Sequence, residues 1–506
     1  MRKLAFCSAA AIVAASAAPA GAVPARGVAP NGEAVAFSTT AALVAADQDG
    51  SPDVYVWRAG APLELASVDP RGATAPTAAH PVFVSDDGQR GFFSTDAPLV
   101  PEDTDATEDV YAWSGGSVRL VGRGGAGRWR FEASADGRSA FFDTTQPLLP
   151  EDTDSRFDVY RWDDGVTTLV SASRAGTTPG FHVLDGVSSD GSRVFETTDE
   201  AVAIEDLDDR DDVYERSGAA AALISKGTLV DPAGGGSSGE AVSSDGSAVT
   251  FTSGERLEPG DADTWLDLYQ RRNGRTRLLS RNSSGVGPPC PYENTGYGVP
   301  PCTPRFAAQS PDGAHTVFYT DEPLAAADSN DNQDFYDATA AGIESISGPA
   351  VAGSTAAVSY VAAVSDDGAR RVFDTYARLT AGDTDSALDV YLREGGVTTL
   401  LSPGGSAPAT LLAMAPDGSR IYLSTRDGLV PEDVDAGSDV YVSSGGAPAL
   451  ATTGPADDHT PFTYGALGAA GTRFFFATPR ALVADDADAD VDLYMRANGV
   501  TTLLSG

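Results

Sequence analysis

Nine times along the chain, an aspartate is followed two residues later by a second Asp or, once, an Asn, and a further aspartate comes four residues after that, just ahead of a Val, Leu or Phe and then a Tyr. The sets are Asp47, Asp49 and Asp53; Asp103, Asp105 and Asp109; Asp152, Asp154 and Asp158; and Asp206, Asp208 and Asp212. They continue as Asp261, Asp263 and Asp267; Asp328, Asn330 and Asp334, with an amide in the middle; and Asp383, Asp385 and Asp389. Asp433, Asp435 and Asp439, then Asp486, Asp488 and Asp492, complete the series. A loop that curls brings such oxygens to one point, which suits a hard cation such as Ca2+ with its about six to eight oxygen ligands. Gly50 supplies a bend in the first set. This is not an EF-hand: the third acid comes too late and no bidentate Glu follows at the twelfth position. Carbonyls or water must complete the shell, so the expected affinity is weak, on the order of 10⁻⁴–10⁻³ M. A second reading stands beside it. Asp side chains accept hydrogen bonds from backbone N–H groups two residues on and build turns without a metal.

The loops belong to a longer unit. The tyrosines that close them (Tyr55, Tyr111, Tyr160, Tyr214, Tyr269, Tyr336, Tyr391, Tyr441 and Tyr494) recur about every 55 residues, a period of propellers or solenoids. In the third unit, Phe131 to Ser134 is an extended run and Ala135-Asp136-Gly137 a turn. Arg138 to Thr144, rich in aromatic and Thr residues, reads as a strand, and the acidic loop follows. Asp158 to Trp162 is a third strand, Asp164-Gly165 a tight hairpin turn, and Val166 to Ser171 a fourth strand. The Asp-Gly or Asn-Gly turn recurs at Asn31, Asp87, Asp190, Asp245, Asp312, Asp367 and Asp417, with Ala470-Gly471 in the ninth unit. Four short antiparallel strands per unit and no helical period predict an all-β fold, a β-propeller of four-stranded blades. Even spacing predicts a single closed ring of eight or nine blades.

Ser-x-Asp-Gly before an apolar strand, then Asp-Val-Tyr and a closing Leu-Val-Ser, resembles the WD40-like (PD40) repeat of the TolB-type β-propeller family. Ser310-Pro311-Asp312-Gly313 lies nearest that family's turn. The resemblance covers roughly residues 24–506 and implies a propeller scaffold, a fold that hosts many activities. Unlike TolB itself, the chain shows no separate α/β domain ahead of the blades.

Residues 1–22 read as a signal peptide: Arg2-Lys3, an alanine-rich apolar stretch from Leu4, and small residues at Ala20-Gly21-Ala22. Residues 23–506 form the propeller, and the expected location is secreted or extracytoplasmic. An insertion at about 282–304 carries Cys290 and Cys302, an even pair that reads as a disulfide in an exported chain. The net charge of −38 repels nucleic acid and anionic membrane surfaces. No later segment is long and apolar enough to insert in a membrane. Four histidines (His80, His182, His315 and His459) share no motif and read as packing or surface residues. Gly235-Gly236-Ser237-Ser238-Gly239 matches the hydrolase Gly-x-Ser-x-Gly pattern but has no strand–turn–helix context, and reads as a glycine-rich linker. No residue is singled out as catalytic, since acids repeated in every unit argue for structure. The sequence predicts a monomeric binding or scaffolding module for a protein or glycan, with Ca2+ at the acidic loops. The alternative is a propeller hydrolase or lyase, acting on polysaccharide or peptide at the channel mouth.

Overall fold

The computed structural model describes residues 27–505 except 70–71, 73, 124–129, 173–179, 209, 218–219, 230–234, 263, 282–302, 327, 329–331, 349–357, 435, 453–463, 469–470 and 488–490. The signal-like stretch, Cys290 and Cys302 lie outside the described residues, as do Asp263, Asn330, Asp435 and Asp488.

Nine antiparallel sheets follow one another in chain order, and the chain is a nine-bladed β-propeller. Blade 2 shows the plan: Ala79–Val84 is innermost, then Arg90–Thr95, Asp109–Ser114 and the outer Ser117–Gly122. Every other blade repeats this order except the first, which has three strands, Ala34–Thr39, Asp53–Arg58 and Glu64–Leu65. Its innermost place is held by a single bridge from Val28 to Val35.

Seven of the nine blade cores are built on the same aromatic pair. The second-strand Phe lies directly across from the repeat Tyr, as Phe93 does from Tyr111, with ring centroids 5.6 Å apart. Six further blades stack Phe on Tyr in the same way. Both rings are fully buried, and cross-strand aromatic pairs add to the burial term. Hairpins between third and outer strands need positive φ, and Asp164, Asn273 and Asn498 supply it at 45–50°.

Blades meet at the first turn. In blade 2, Asp87 Oδ1 accepts from Ser85 Oγ (2.7 Å) and Gln89 N (2.9 Å), and Gly88 takes φ +68°. Successive turns then hydrogen-bond around the axis: Asp86 N to Ala135 O, Ala135 N to Ser189 O, Ser189 N to Ser244 O and Ser244 N to Pro311 O, at 2.7–2.8 Å. Pro311 has no N–H and cannot pass the chain on. Among the described residues, no strand is exchanged between the first and last blades. Val28, Val35 and Phe37 of blade 1 pack with Phe475, Leu493 and Leu504 of blade 9. Arg473 pairs with Glu33 (2.7 Å) and donates to Gly32 O (2.8 Å).

The Gly-x-Ser-x-Gly stretch is not a linker. Ser237–Val242 is the innermost strand of blade 5. A Cβ on Gly239 would lie 2.3 Å from the carboxyl carbon of Asp185 in blade 4, so glycine is what lets the inner strands crowd together. Ser237 is buried and bonded to Ser253 Oγ (2.9 Å), which is no place for a nucleophile.

Candidate cation sites at the blade corners

Strand direction alternates within a blade, so the acidic second-to-third loops open on the face opposite the Ser-x-Asp-Gly turns. Each loop folds back on its own carboxylates. Asp47 Oδ1 accepts from Asp49 N (3.3 Å), and Asp49 Oδ1 accepts from Ser51 N (2.7 Å). The same two turns recur in blades 2, 3, 4 and 7. In all nine blades the repeat Tyr hydroxyl donates to Oδ2 of the first Asp, at 2.5 Å for Tyr55 and Asp47. Its eight-residue offset is thereby explained: the ring that fills the core also anchors the loop.

The third Asp is held from the outer strand. Ser67 Oγ donates to Asp53 Oδ1 (2.5 Å) and accepts from Val54 N (2.9 Å). Equivalent Ser or Thr hydroxyls serve Asp158, Asp212, Asp267, Asp334, Asp389, Asp439 and Asp492. The closing Ser of the repeat, read from sequence only as the end of a strand, thus belongs to the corner. Seeing this takes the register of the outer strand, which sequence spacing alone does not supply.

The turn network is therefore present, and the carboxylates also converge. In blades 1, 2, 3, 4 and 7 one oxygen from each of the three aspartates lies within 4.8 Å of the other two. The sets are Asp47, Asp49 and Asp53; Asp103, Asp105 and Asp109; Asp152, Asp154 and Asp158; Asp206, Asp208 and Asp212; and Asp383, Asp385 and Asp389. In blades 5, 6, 8 and 9 the middle residue is not described, so only the outer two positions are placed: Asp261 and Asp267, Asp328 and Asp334, Asp433 and Asp439, Asp486 and Asp492.

Like charges at this spacing repel by roughly 3 kcal/mol per pair at an effective dielectric of about 20. Burial, reinforced by Asp47 and Asp49, pushes Asp53 up to about 7 despite its bond from Ser67. Burial pushes Asp389 to about 7 and Asp212 to about 8, with Asp427 and Glu255 of the following blades adding to the rise. Burial also lifts Asp158, to about 6. Asp53 is wholly buried, and its Oδ2 has no hydrogen-bond partner. All-oxygen donors, crowded like charge and that orphaned atom fit a divalent hard cation.

One blade breaks the pattern. Glu196 stands opposite Tyr214 where seven blades place a Phe. His182 Nδ1 lies 3.2 Å from Glu196 Oε1, its Nε2 lies 3.3 Å from Glu200 Oε2, and Arg216 Nε lies 2.5 Å from Glu196 Oε1. The cluster is sealed from solvent: His182, Glu196, Glu200 and Arg216 are at most 2 % exposed. Burial would lower His182, but Glu196 and Glu200 outweigh it and raise the imidazole to about 9. Burial would likewise raise Glu196, but His182 and Arg216 hold it below its usual range. His182 is thus a packing residue, as expected, though an ionic one. His315 pairs with Asp337 at 2.8 Å, and His459 lies outside the described residues.

A cavity of about 530 Å³ opens on the axis between blades 1 and 5. Its titratable lining is Asp86, Glu132, Asp185 and Glu240. Asp185 is buried against Arg130 (3.4 Å) and accepts from Thr197 Oγ1 (2.7 Å).

No protein-family model and no curated protein matches the chain. Solved structures do resemble it. A prolyl endopeptidase is 13% identical over 82% of this chain and 56% of its own, with a TM-score of 0.40. The β-propeller domain of the trilobed protease from Pyrococcus furiosus, described as having an open velcro topology, is 10% identical over 74% of this chain and 97% of its own, at 0.34. TolB from Acinetobacter baumannii is 14% identical over 68% of this chain and 76% of its own, at 0.26. The chain spans about half the length of the prolyl endopeptidase it matches. Propellers, TolB among them, are what this chain resembles, and its own sheet order is what makes it one.

Proposed function

We propose that this protein is an extracytoplasmic, acidic β-propeller that serves as a binding or scaffolding module for a protein or glycan, with Ca2+ held at its blade corners. The observation that carries the metal reading is the corner of blade 1. There three carboxylates meet within 4.8 Å, and one of them, Asp53, is wholly buried with Oδ2 lacking any hydrogen-bond partner. Hydrogen-bonded turns need one acceptor at each step, which an Asn would provide at no electrostatic cost. Three converging charges are accounted for by a dication. Bound there, Ca2+ would neutralise the trio while Asp47 keeps the Tyr55 hydroxyl and Asp53 keeps Ser67, tying the loop to the third and outer strands.

A hydrolase or lyase at the channel mouth would need an accessible base or nucleophile. The axial cavity offers only carboxylates among its described titratable lining residues, and Asp185 is already engaged. His182, at the start of the inner strand that carries Asp185, has both ring nitrogens on carboxylates. These features favour the scaffold.

The repeat tyrosines touch the corners, so Tb3+ bound there would be sensitised by phenol excitation. The reading expects Tyr-sensitised Tb3+ emission that Ca2+ quenches by competition and that falls stepwise in Asp53→Asn and Asp109→Asn. Absence of sensitised emission, or emission indifferent to Ca2+, overturns the metal reading.

A further inference from the structure

The nine corners do not have the same neighbours. Two residues after the Thr or Ser that ends each second strand, the backbone N–H donates back to that hydroxyl, as Ala97 N does to Thr95 and Arg480 N to Thr478. The turn recurs in all nine blades, so the position is structurally equivalent throughout. In blades 5, 8 and 9 its side chain acts on the third carboxylate of the preceding blade's corner. Asp427 and Glu255 act in this way on Asp389 of blade 7 and Asp212 of blade 4. Ala97 packs in one cluster with Val54, next in sequence to Asp53 of blade 1. In blade 9 the position is Arg480, whose Nη1 lies 3.0 Å from Oδ1 of Asp439, the third carboxylate of blade 8. Arg480 is 2% exposed and Asp439 4% exposed in this pair.

We propose that this position decides whether the preceding corner takes a metal ion, and that Arg480 is a built-in cation that closes the blade 8 corner to Ca2+. The inference rests on the corner reading above. Two observations carry it: the trio of blade 1, whose neighbour is the neutral Ala97, makes no salt bridge among the described residues and leaves Oδ2 of Asp53 orphaned, whereas in blade 8 the buried guanidinium of Arg480 supplies the counter-charge to the third carboxylate; the contrast lies in charge and not in the hydrogen bonding of Oδ2. A planar, permanently charged guanidinium with several donors satisfies a buried carboxylate without metal. A dication added beside it would meet like charge in a site of low dielectric. Where the neighbour is acidic, as Asp427 and Glu255 are, a fourth carboxylate joins the corner and strengthens its hold on the ion.

The test is the number of Ca2+ ions bound per chain, measured by equilibrium dialysis on the full protein and three variants. Asp53→Asn is expected to lose one ion, Asp439→Asn to lose none, and Arg480→Gln to gain one. Because Arg480→Gln leaves buried Asp439 without its counter-charge, it is expected to melt below the parent in EGTA and to recover in Ca2+. An Asp439→Asn variant that loses one ion as Asp53→Asn does overturns the inference and leaves the corner reading intact. So does an Arg480→Gln variant that folds and binds the parent's number. A parent that binds no Ca2+ overturns both.

Discussion

Replacing His182 by Gln gives the most quantitative test of the buried cluster in blade 4. The imidazolium is raised from 6.5 to about 9 because Glu196 and Glu200 hold it on both nitrogens, against the cost of its burial. A raised pKa means the folded state keeps a proton that the unfolded chain releases. The stabilisation is therefore full below about pH 6.5 and is lost as pH rises through about 9. A shift of this size corresponds to about 3 kcal/mol. For a chain of this length the entropy of unfolding is on the order of 1 kcal/mol/K, so the loss reads as about 3 °C in Tm. Melting curves in EGTA at pH 6, 7.5, 9 and 10 supply the profile. The carboxylates at the corners also titrate, but their windows close near pH 8, and those of Asp53, Asp212 and Asp389 are common to both proteins, while Asp158, which His182 lowers, shifts only below that pH. The difference between parent and His182→Gln isolates the imidazole. The variant is expected to be less stable at pH 6 by about 3 kcal/mol, since two buried carboxylates are left with one guanidinium, and the gap should close by pH 10. A gap that stays constant from pH 6 to pH 10 would refute the assignment of a protonated His182.

Other expectations are simpler. Tyr111→Phe removes donation to Asp103 and Ala97 O and acceptance from Leu99 N, leaving buried partners unmet. It should cost about 1–3 kcal/mol, seen as a fall of a few degrees in Tm with unchanged far-UV circular dichroism. Gly88→Ala should cost more than Gly115→Ala although both have positive φ: the new Cβ at Gly88 would lie 2.4 Å from Ala34 Cβ of blade 1, whereas Gly115 has open space. The first combines strain with overpacking, roughly 2–4 kcal/mol, and the second strain alone, about 1 kcal/mol. Equal Tm losses would show that the first turns are not where blades touch.

Most of the architecture is legible in the chain because each blade restates it. The repeat Tyr, the Asp-Gly turns and the alternation after Asp158 mark strands whose burial alternates as a blade requires. The ring of eight or nine resolves to nine, since Val28 and Val35 supply the start of blade 1 and Phe475 and Leu493 meet it from blade 9. What the repeat hides is deviation from itself. Glu196 sits in a column otherwise filled by Phe or Leu423, and its partners His182 and Arg216 come from the two flanking strands of the same blade, 14 and 20 residues away. Comparing the nine units column by column exposes the misplaced charge, though only the fold shows how it is balanced. Ser237–Val242 was obscured for a different reason: glycines that look like a linker are there because inner strands crowd at the axis.

Thermal unfolding in excess EGTA, in millimolar Ca2+ and in Mg2+ at matched ionic strength tests the metal-stabilised corner most directly. At ten times Kd each corner adds about 1.4 kcal/mol, so the five fully described corners together raise Tm by about 7 °C. The account expects that rise in Ca2+ and little of it in Mg2+, which resists losing its own water shell. Identical melting in the three buffers would contradict it and reduce the acidic loops to hydrogen-bonded turns.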